Sequence, residues 1–281
     1  MDSQADIKTY PSPDLAVDAG LGMVQKGEFK QALVTFTAAI TLDQRHWEAY
    51  RLRGITYTRL GCYDSAIADF DSAVRGDPMC AGCIYERGSA KMFAGHLEGA
   101  LADLSECLTL KSDFAPAYSI RAGIYTRMGC CKPALKDIDV ALELEPDNAG
   151  YLHNRGVILT AMDRYDEAIE NYEKALKLDP NGGGTYNNLA WLLATAKNSK
   201  FWDCRKAIIY AHKAVELGKI GAWLDTLAEA YAACGDFEKA VEAETQAYEL
   251  SRPPNEKFRE RVALYRCGKS YSAWRSENPV N

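Results

Sequence analysis

Histidine is scarce in this chain, which has four of them among 281 residues. None of the four lies in an HExxH or Ser/His/Asp pattern of the kind that metalloproteases and serine hydrolases use. The glycine run at 182–184 neither follows a strand-like segment nor precedes a Lys-Ser/Thr pair, which excludes a P-loop. We therefore expect a protein that is not an enzyme and needs no cofactor.

Long apolar runs and an excess of basic residues are also absent. No stretch reaches the ~18 consecutive apolar residues of a membrane span, and Met1–Asp14 has no apolar core of signal-peptide length. These features predict a cytoplasmic protein without a membrane span. The net charge of −6 is a poor match to the phosphate backbone, so we expect no nucleic-acid partner.

The C-terminal segment is the exception to this acidic balance. Residues 252–281 carry 7 basic and 3 acidic side chains. A basic segment of this size is typical of a solvated helix face. The alternative interpretation is a docking site for an acidic partner.

Cysteine is the reactive residue that the chain does contain, with nine copies. In a cytoplasmic protein they are expected to be reduced thiols. The one CxxC motif is Cys80-Ala-Gly-Cys83, and a structural zinc site needs about four ligands, so we predict no metal. The alternative is a thiol-responsive or metal-linked regulator that uses Cys80 and Cys83.

A block of twenty residues recurs with a constant period of 34. Its copy RLRGITYTRLGCYDSAIADF occupies 51–70, three more begin at 85, 119 and 153, and weaker copies extend the array to seven units. Two small residues one heptad apart mark the register and lie on nearly the same helix face, where they let a neighbouring helix approach closely. These residues are Ala32, Ala66, Ala100, Ala134, Ala168, Ala207 and Ala240, followed seven positions later by Ala39, Ala73, Cys107, Ala141, Ala175, Ala214 and Ala247.

Each unit is predicted to form a helical hairpin. In the second unit the first helix runs from Glu48 to Leu60, Gly61 provides the turn, and the second helix runs from Asp64 to about Arg75. Asp77-Pro78 ends that helix, because a residue before proline avoids the helical region.

The second unit resembles the full tetratricopeptide repeat signature at Gly54, Tyr57, Gly61, Ala66, Phe70, Ala73 and Pro78. The resemblance implies an all-α fold, a right-handed α-α superhelix of about seven helix-turn-helix repeats with a C-terminal capping helix. We accordingly divide the chain into a disordered segment 1–12, an array 13–252, and a capping helix with a basic tail 253–281. The predicted repeats are 13–46, 47–80, 81–114, 115–148, 149–182, 183–220 and 221–252.

The last units depart from this pattern. In unit six, five extra residues around Lys197–Asp203 lengthen the turn between the helices, and in unit seven Glu244 stands where an aromatic residue is usual. The segments 187–195, 224–242 and 258–271 resemble the closing part of many bacterial repeat proteins. Phe258, Val262 and Tyr265 recur at i, i+4 and i+7, so their helix is predicted to cover the open face of the last unit.

A ladder of charges accompanies the central repeats. Arginines recur every 34 residues, eight positions before the hairpin turn, and aspartates recur eight positions after it. Such positions are level in an antiparallel hairpin, so we predict Arg–Asp pairs, with Asn171 as a neutral acceptor in the unit of Arg155. These pairs fix register more than they add stability; the alternative is an exposed arginine ladder for an acidic peptide. The ladder consists of Arg53, Arg87, Arg121, Arg155, Asp69, Asp103 and Asp137.

The resemblance also implies a function and its residues. In this family the first helix of each repeat lines a concave groove, which implies a non-catalytic scaffold that binds a segment of a partner protein. Arginine and aromatic residues are common hot spots, and the mixture here suits a peptide with apolar anchors and some acid. In one variety of these domains, paired Lys and Asn side chains clamp the terminal carboxylate of a peptide. Such a clamp is not indicated here, because Arg51 and Asn154 are not part of any such set. The predicted peptide-binding residues are Arg51, Ile55, Arg59, Tyr85, Ser89, Phe93, Arg127, His153, Val157, Asn187 and Trp191, and Ser119, Gly123, Ala161 and Thr195 hold equivalent positions.

Overall fold

The structure, a computed structural model, describes residues 10–251, 253 and 255–277. Most of the predicted disordered segment 1–12 and the end of the predicted basic tail, 278–281, lie outside the described residues. Within them the secondary structure is entirely helical, with sixteen α-helices and one short 3-10 helix. The helices group into two compact bodies, residues 1–130 and 131–281, which are called unit 1 and unit 2 from here on and are distinct from the seven repeats. The boundary between them falls inside the fourth predicted repeat.

Unit 1 consists of three helical hairpins followed by a seventh helix. The two helices of each hairpin pack on each other, and the second helix of one hairpin packs on the first helix of the next. The helices are α1 Pro13–Gln25, α2 Phe29–Leu42, α3 Trp47–Arg59, α4 Tyr63–Gly76, α5 Ala81–Ala94, α6 Leu97–Leu110 and α7 Ala115–Arg127.

Unit 2 continues the same alternation and ends in two further helices. These last two pack on the final hairpin and on each other. The helices are α8 Cys131–Leu144, α9 Ala149–Ala161, α10 Tyr165–Leu178, α11 Gly183–Thr195, α12 Cys204–Leu217, α13 Gly221–Ala233, α14 Phe237–Leu250, α15 Glu256–Arg266 and α16 Tyr271–Glu277. None of the helices in the described residues is long and apolar enough to span a membrane.

The small positions of the repeat are where the helices approach each other. Every one of the fourteen residues predicted there is buried, and none is more than 2% exposed. Glycine extends this close packing to the first helix of the hairpin: a Cβ atom at Gly20 or Gly156 would lie 2.5 Å from the ring of Phe36 or Tyr172. The prediction that small residues permit this approach is confirmed, and larger side chains would overpack it.

The hairpin turns need a backbone conformation that favours glycine. Gly61 has φ +75°, in the left-handed region, and the turn glycines of the other hairpins are similar. In the hairpin of α9 and α10 the turn residue is Asp163, which adopts φ +58°. A residue with a side chain is strained in this region by about 1 kcal/mol or more. The presence of aspartate where the other hairpins have glycine therefore calls for an explanation.

The predicted lengthening of the turn in the sixth repeat, residues 183–220, is confirmed. Helix α11 ends at Thr195, a 3-10 helix spans Ser199–Phe201, and α12 begins at Cys204. The segment between the two α-helices, residues 196–203, is called the insertion below. Within the insertion, the Trp202 indole N–H donates to the Ala196 carbonyl at 2.6 Å. The insertion is held to α11 because the Asp203 N–H donates to the Leu193 carbonyl at 3.1 Å.

The expectation of nine reduced thiols is wrong for four cysteines. Cys80 is bonded to Cys83, and Cys204 is bonded to Cys234, with Cα–Cα distances of 5.3 and 5.4 Å, inside the range a disulfide requires. The first bond closes one helical turn at the start of α5. The second joins the start of α12 to the end of α13, which brings together residues that are 30 positions apart in sequence. Cys62, Cys130 and Cys267 are exposed free thiols, Cys107 is buried, and Cys131 is partly buried.

Helix α15 covers the last hairpin, as its amphipathic pattern predicts, and its contact is partly polar. Tyr265 is fully buried, and its hydroxyl donates to the carboxylate of Glu229 at 3.0 Å. The same carboxylate accepts the N–H groups of Tyr271 and Ser272, both at 2.9 Å, and so holds the start of α16. Glu244 is also fully buried, and burial together with the nearby Glu229 raises the pKa of Glu244 to about 8.

Candidate functional site

Two arginines of the ladder form buried pairs with aspartates of their own hairpins. Arg53 donates to both carboxylate oxygens of Asp69, at 2.8 and 2.7 Å, and Arg87 makes the same bidentate contact with Asp103, at 2.9 and 2.8 Å. The side chains of Asp69 and Asp103 are only 7% and 6% exposed. Because Arg53 and Arg87 are themselves largely buried, the alternative of an exposed ladder does not hold for them.

Each ladder arginine has an acceptor in the preceding hairpin that sequence reasoning missed. The acceptor lies 16 residues before the arginine, on the second helix of the preceding hairpin, at 2.7 to 3.1 Å. Each guanidinium therefore fastens its own helix to the preceding hairpin. The signal was present, because polar residues recur at this position with the same period of 34. The pairs are Arg53 with Thr37, Arg87 with Asp71, Arg121 with Ser105, and Arg155 with Asp139.

The prediction that Asn171 accepts from Arg155 is wrong. The Arg155 Nε donates to Asp139 at 2.7 Å, and the Asn171 amide donates to the Glu167 carbonyl at 2.8 Å, one turn back on its own helix. A neutral amide attracts a guanidinium less than a carboxylate does, so Arg155 turns to the acid. Asp137, the third predicted ladder acid, is buried in unit 2.

In unit 1 the predicted contact positions lie on α3, α5 and α7, and α5 touches both of the others. Phe93 is 55% exposed and stacks on Tyr63 with ring centres 5.4 Å apart. Arg59 and Arg127 are exposed, and the Arg59 guanidinium lies 5.8 Å from the centre of the Phe29 ring. We call Arg51, Arg59, Tyr85, Phe93 and Arg127 the unit 1 face. Tyr85 is half-buried, edge-on to Phe114 at 4.9 Å.

Two predicted contacts of unit 1 have side chains turned toward the core. Ile55 packs against the buried cluster of Ala66, Phe70 and Ala90, and Ser89 is only 9% exposed. A family contact position with a short or inward-packed side chain offers little to a partner. The role of these two residues in binding stays a prediction.

Glu86 is a charged residue of this region that sequence reasoning missed. Burial raises its pKa, while the charges of Arg51 and Arg59 act in the opposite direction. The carboxylate thus lies among the arginines of the unit 1 face and offsets part of their charge. The repeat carries a signal for it, since Leu52 and Ile120 hold the equivalent positions in the neighbouring units.

In unit 2 the predicted contact positions lie on α9 and α11. The His153 Nδ1 is 2.9 Å from the Thr185 hydroxyl, and burial lowers the pKa of His153, which favours a neutral ring at pH 7. Val157 is half-buried against the core, and the Asn187 amide donates to the Asn188 side chain at 3.4 Å. We call His153, Val157, Asn187 and Trp191 the unit 2 face.

The C-terminal helices reach Trp191, which the sequence did not predict. The Arg261 guanidinium of α15 lies 5.6 Å from the Trp191 ring centre and 4.0 Å from that of Tyr271 on α16. Arg261 also pairs with Asp225 of α13. The cation is therefore held between two aromatic rings, and α15 and α16 build up one edge of the unit 2 face.

Two atoms on these faces lack a hydrogen-bond partner although they are buried. They are the Arg51 Nε and the Asn187 Oδ1; in the described part of the chain the two carboxylate oxygens of Glu244 are the other side-chain atoms in this state. A buried polar atom without a partner is destabilising by about 1–3 kcal/mol and calls for an explanation. Arg51 offers a donor and Asn187 an acceptor, the two functions that a peptide backbone complements.

The side chains were also compared with the requirements of a metal site. Within the described residues, no three His, Cys, Asp or Glu side chains are grouped so that they could hold a metal ion. The free cysteines are distributed over both units. What the arrangement offers is two faces with arginine, aromatic and amide groups.

Comparison with known proteins gives relatives with the same architecture. Residues of this chain are 28% identical over 109 positions to human "Tetratricopeptide repeat protein 6", a match that covers 39% of this chain and about a fifth of that relative. A solved tetratricopeptide repeat protein from Parabacteroides merdae is 18% identical and covers 92% of this chain and all of its own length, with a TM-score of 0.73.

Two further solved structures share the fold. The Pseudomonas aeruginosa protein pilF is 20% identical with a TM-score of 0.64, and the match covers 79% of this chain and 98% of pilF. YrrB, described as a tetratricopeptide repeat protein with an unusual peptide-binding site, is 20% identical with a TM-score of 0.52 over 64% of this chain and 91% of its own. These similarities show an α-α solenoid fold.

Sequence models of the tetratricopeptide repeat match four segments of the chain. They are residues 17–78, 149–181, 171–206 and 224–258. The matches fall on the first, second and fifth predicted repeats and on parts of the sixth and seventh, and together they cover more than half of the sequence. The chain therefore belongs to the tetratricopeptide repeat family.

Proposed function

We propose that the protein is a non-catalytic scaffold whose unit 1 face and unit 2 face each bind a segment of a partner protein. Proteins of this family are generally interaction scaffolds, and a structural neighbour, YrrB, is described as having a peptide-binding site. The observation that carries the proposal is the pair of unpartnered buried atoms, the Arg51 Nε and the Asn187 Oδ1, because both fall on contact positions predicted independently from the repeat register.

The charges of the unit 1 face indicate the chemistry of the segment. Arg51, Arg59 and Arg127 carry three positive charges and Glu86 one negative charge, so the region is positive on balance. The exposed Phe93 ring adds an apolar contact. A segment with an apolar anchor and nearby acidic residues fits this surface.

The test is selection of peptides from a random library displayed on phage, followed by titration of the selected peptides. Phe93→Ala and Asn187→Ala are each expected to weaken binding about tenfold or more, because a hot-spot side chain or a hydrogen bond to the backbone is lost. Binding of peptides to the unit 1 face is also expected to weaken with added salt.

Val34→Ala provides the matched control. Val34 is an exposed apolar side chain on α2 and lies on neither face, so its removal should leave affinity unchanged. If no peptide is selected, or if Val34→Ala weakens binding as much as Phe93→Ala does, the proposal is wrong.

A second candidate is a thiol-responsive regulator, which the Cys80–Cys83 bond favours. This disulfide lies at the start of α5, the helix that carries Tyr85 and Phe93, and the Cys80 sulfur accepts the Cys83 N–H at 3.1 Å. Reduction would change the first turn of that helix. For a regulator, reduction should change peptide affinity about tenfold, and for a plain scaffold it should not.

The cytoplasm is the proposed location, and the cysteines provide its test. Three exposed free thiols suit a reducing compartment, whereas two disulfides are more usual in an oxidising one. Alkylation of the unfolded protein directly after acid quenching of the cells, followed by mass spectrometry, distinguishes them. Nine modified cysteines would mean that both disulfides are reduced in the cell, as the cytoplasm implies, and five would mean that both persist and would place the protein in an oxidising compartment.

A further inference from the structure

Unit 2 contains a cavity of about 700 Å³ that the repeat pattern does not account for. Three regions form it: the end of α9 with the turn after it, the end of α11 with the insertion, and the start of α16. Its volume is within the ~300–1,000 Å³ that is usual for small-molecule pockets. The insertion and α16 are the parts of unit 2 that the repeat lacks, so this chain adds the cavity to the common fold.

The walls of the cavity are fixed before anything binds. The bond from Trp202 to Ala196 closes the insertion on itself, and the Asp203 N–H holds it to the Leu193 carbonyl of α11. The Lys197 N–H donates to the Tyr165 hydroxyl of α10 at 3.4 Å. The start of α16 is held by the Glu229 carboxylate. A preformed pocket avoids the cost of ordering its walls when a ligand enters.

Asp163, the strained turn residue, is explained by this cavity. Its carboxylate accepts the Tyr165 hydroxyl at 2.7 Å and pairs with the Lys197 ammonium of the insertion at 2.8 Å, and these contacts lower the pKa of Asp163. A glycine, which the other hairpins use, could not hold the insertion in this way. The backbone strain at Asp163 is thus offset by contacts that position one wall.

The lining is aromatic and hydroxylic, and its charges are neutralised. Trp191, Trp202 and Tyr271 contribute rings, and the two charged lining residues, Asp163 and Lys197, pair with each other. The Thr195 hydroxyl donates to the Trp191 carbonyl at 2.7 Å, so its oxygen can only accept from a ligand. A flat neutral ring with one N–H or O–H donor fits such a lining.

We propose that this cavity is the anchor pocket for a tryptophan or tyrosine side chain of the partner segment. The inference rests on the proposed function, since the cavity would determine which partner segments the unit 2 face binds. Trp191 belongs to that face, and Ala161 and Thr195 hold equivalent contact positions of the repeat, so the cavity continues the predicted binding surface. A free aromatic metabolite fits less well, because most carry a carboxylate or phosphate and the cavity's charges are already paired.

The first experiment uses N-acetyl-tryptophanamide as a probe of the full chain. The indole N–H signals of the five tryptophans are followed by NMR, with assignment by Trp→Phe substitutions. Binding should shift the signals of Trp191 and Trp202 and leave that of Trp47 in unit 1 unchanged, with a Kd of about 1 mM. N-acetyl-phenylalaninamide, which has the ring without the donor, should bind severalfold more weakly.

The matched variants are Ala161→Phe and Ala263→Phe. Both alanines are exposed on helices of unit 2, and Ala161 lines the cavity whereas Ala263 does not. Ala161→Phe fills the cavity and should weaken binding of N-acetyl-tryptophanamide about tenfold. Ala263→Phe should leave that binding unchanged. Because the wild-type shifts are measured first, the proposal stays testable even if Ala161→Phe does not fold.

The outcomes separate this proposal from the proposed function. If the amide leaves Trp191 and Trp202 unchanged, or if free tryptophan with its charged ends binds more tightly than the amide, the anchor pocket is wrong. In another outcome, the selected peptides lose affinity in Asn187→Ala, share no tryptophan or tyrosine, and bind Ala161→Phe as tightly as the wild type. That result would support the scaffold and contradict the anchor pocket. If the amide binds and no peptide does, the scaffold proposal fails and with it the role of the cavity as an anchor. Support requires the amide shifts together with peptides that share an aromatic residue and lose affinity in Ala161→Phe.

Discussion

At the scale of single residues, the ladder arginines connect the repeats. Each guanidinium is shared between the second helix of the preceding hairpin and, for Arg53 and Arg87, a buried aspartate of its own hairpin. Guanidinium suits this position because its planar fork of donors satisfies two acceptors at once. Lysine would satisfy either helix but not both with the same geometry.

Arg53→Ala is expected to destabilise the protein by about 3–5 kcal/mol, because it leaves Asp69 buried without its cation. Arg87→Ala should cost about 1–2 kcal/mol less, since Asp103 keeps the Lys91 ammonium at 2.8 Å. Urea denaturation measures both. Arg59→Ala, an exposed arginine on α3, serves as control and should change stability by no more than about 0.5 kcal/mol. Equal losses for Arg53→Ala and Arg87→Ala would contradict this account.

Residue spacing predicted the arginine contacts within a hairpin and not those to the preceding hairpin. Positions equally distant from a turn must be level, so Asp69 and Asp103 could be assigned to Arg53 and Arg87 from the sequence alone. The partners in the preceding hairpin could not be assigned that way, because they depend on the rotation between successive hairpins, which the period of 34 does not specify. The same holds for Glu86, whose meaning depends on which arginines surround it.

At the scale of helices, the end of the chain is held by carboxylates in an apolar contact. Glu229 satisfies the Tyr265 hydroxyl and two N–H groups of α16, so its charge is well compensated. Glu244 lies near it without a hydrogen-bond partner. An uncompensated buried carboxylate is stable only when it carries a proton.

This makes the stability of the last hairpin dependent on pH. The pKa of Glu244 is about 8 in the folded chain and about 4.5 when the side chain is free. The folded state then binds the proton that the unfolded state releases, so the contribution is complete below pH 4.5 and is lost as the pH rises to about 8. The loss is on the order of a few kcal/mol.

Melting temperature measured between pH 5 and 9 checks this dependence. The wild type should become less stable as pH rises, and Glu244→Gln, which keeps the shape and stays neutral, should remove most of the slope. Glu242→Gln changes an exposed glutamate on the same helix and should leave the slope as it is. Identical slopes in the two variants would show that Glu244 does not titrate in this range.

Helix-level features were predicted where they depend on local sequence. The insertion followed from counting residues between two alanines, and α15 followed from its amphipathic spacing. Glu244 could be recognised as a departure from the pattern, but its burial beside Glu229 required the packing of α13 against α14. The role of α16 was not predicted, because seven residues with no period give no sign that Glu229 holds their first N–H groups.

At the scale of the whole molecule, each of the two compact units is a series of helices in which a hairpin touches mainly its neighbours. Repeat proteins of this kind have stabilities that add up from local terms, so a change in one hairpin should remain near it. The sequence could predict this architecture because the period is constant. It could not predict the Cys204–Cys234 bond, which depends on how α12 and α13 lie side by side.

The Cys204–Cys234 disulfide provides the test of this local behaviour. It closes a loop of 30 residues, and in the loop-entropy description its reduction should destabilise unit 2 by about 3–4 kcal/mol. Hydrogen exchange of the Cys204→Ser, Cys234→Ser double variant should show faster exchange in α12 and α13 and unchanged exchange in α1 to α4. The matched Cys80→Ser, Cys83→Ser variant closes a much shorter loop and should lose about 2 kcal/mol or less. Equal acceleration along the entire chain would mean that the hairpins unfold together, because a local loss then reaches every amide through one cooperative transition.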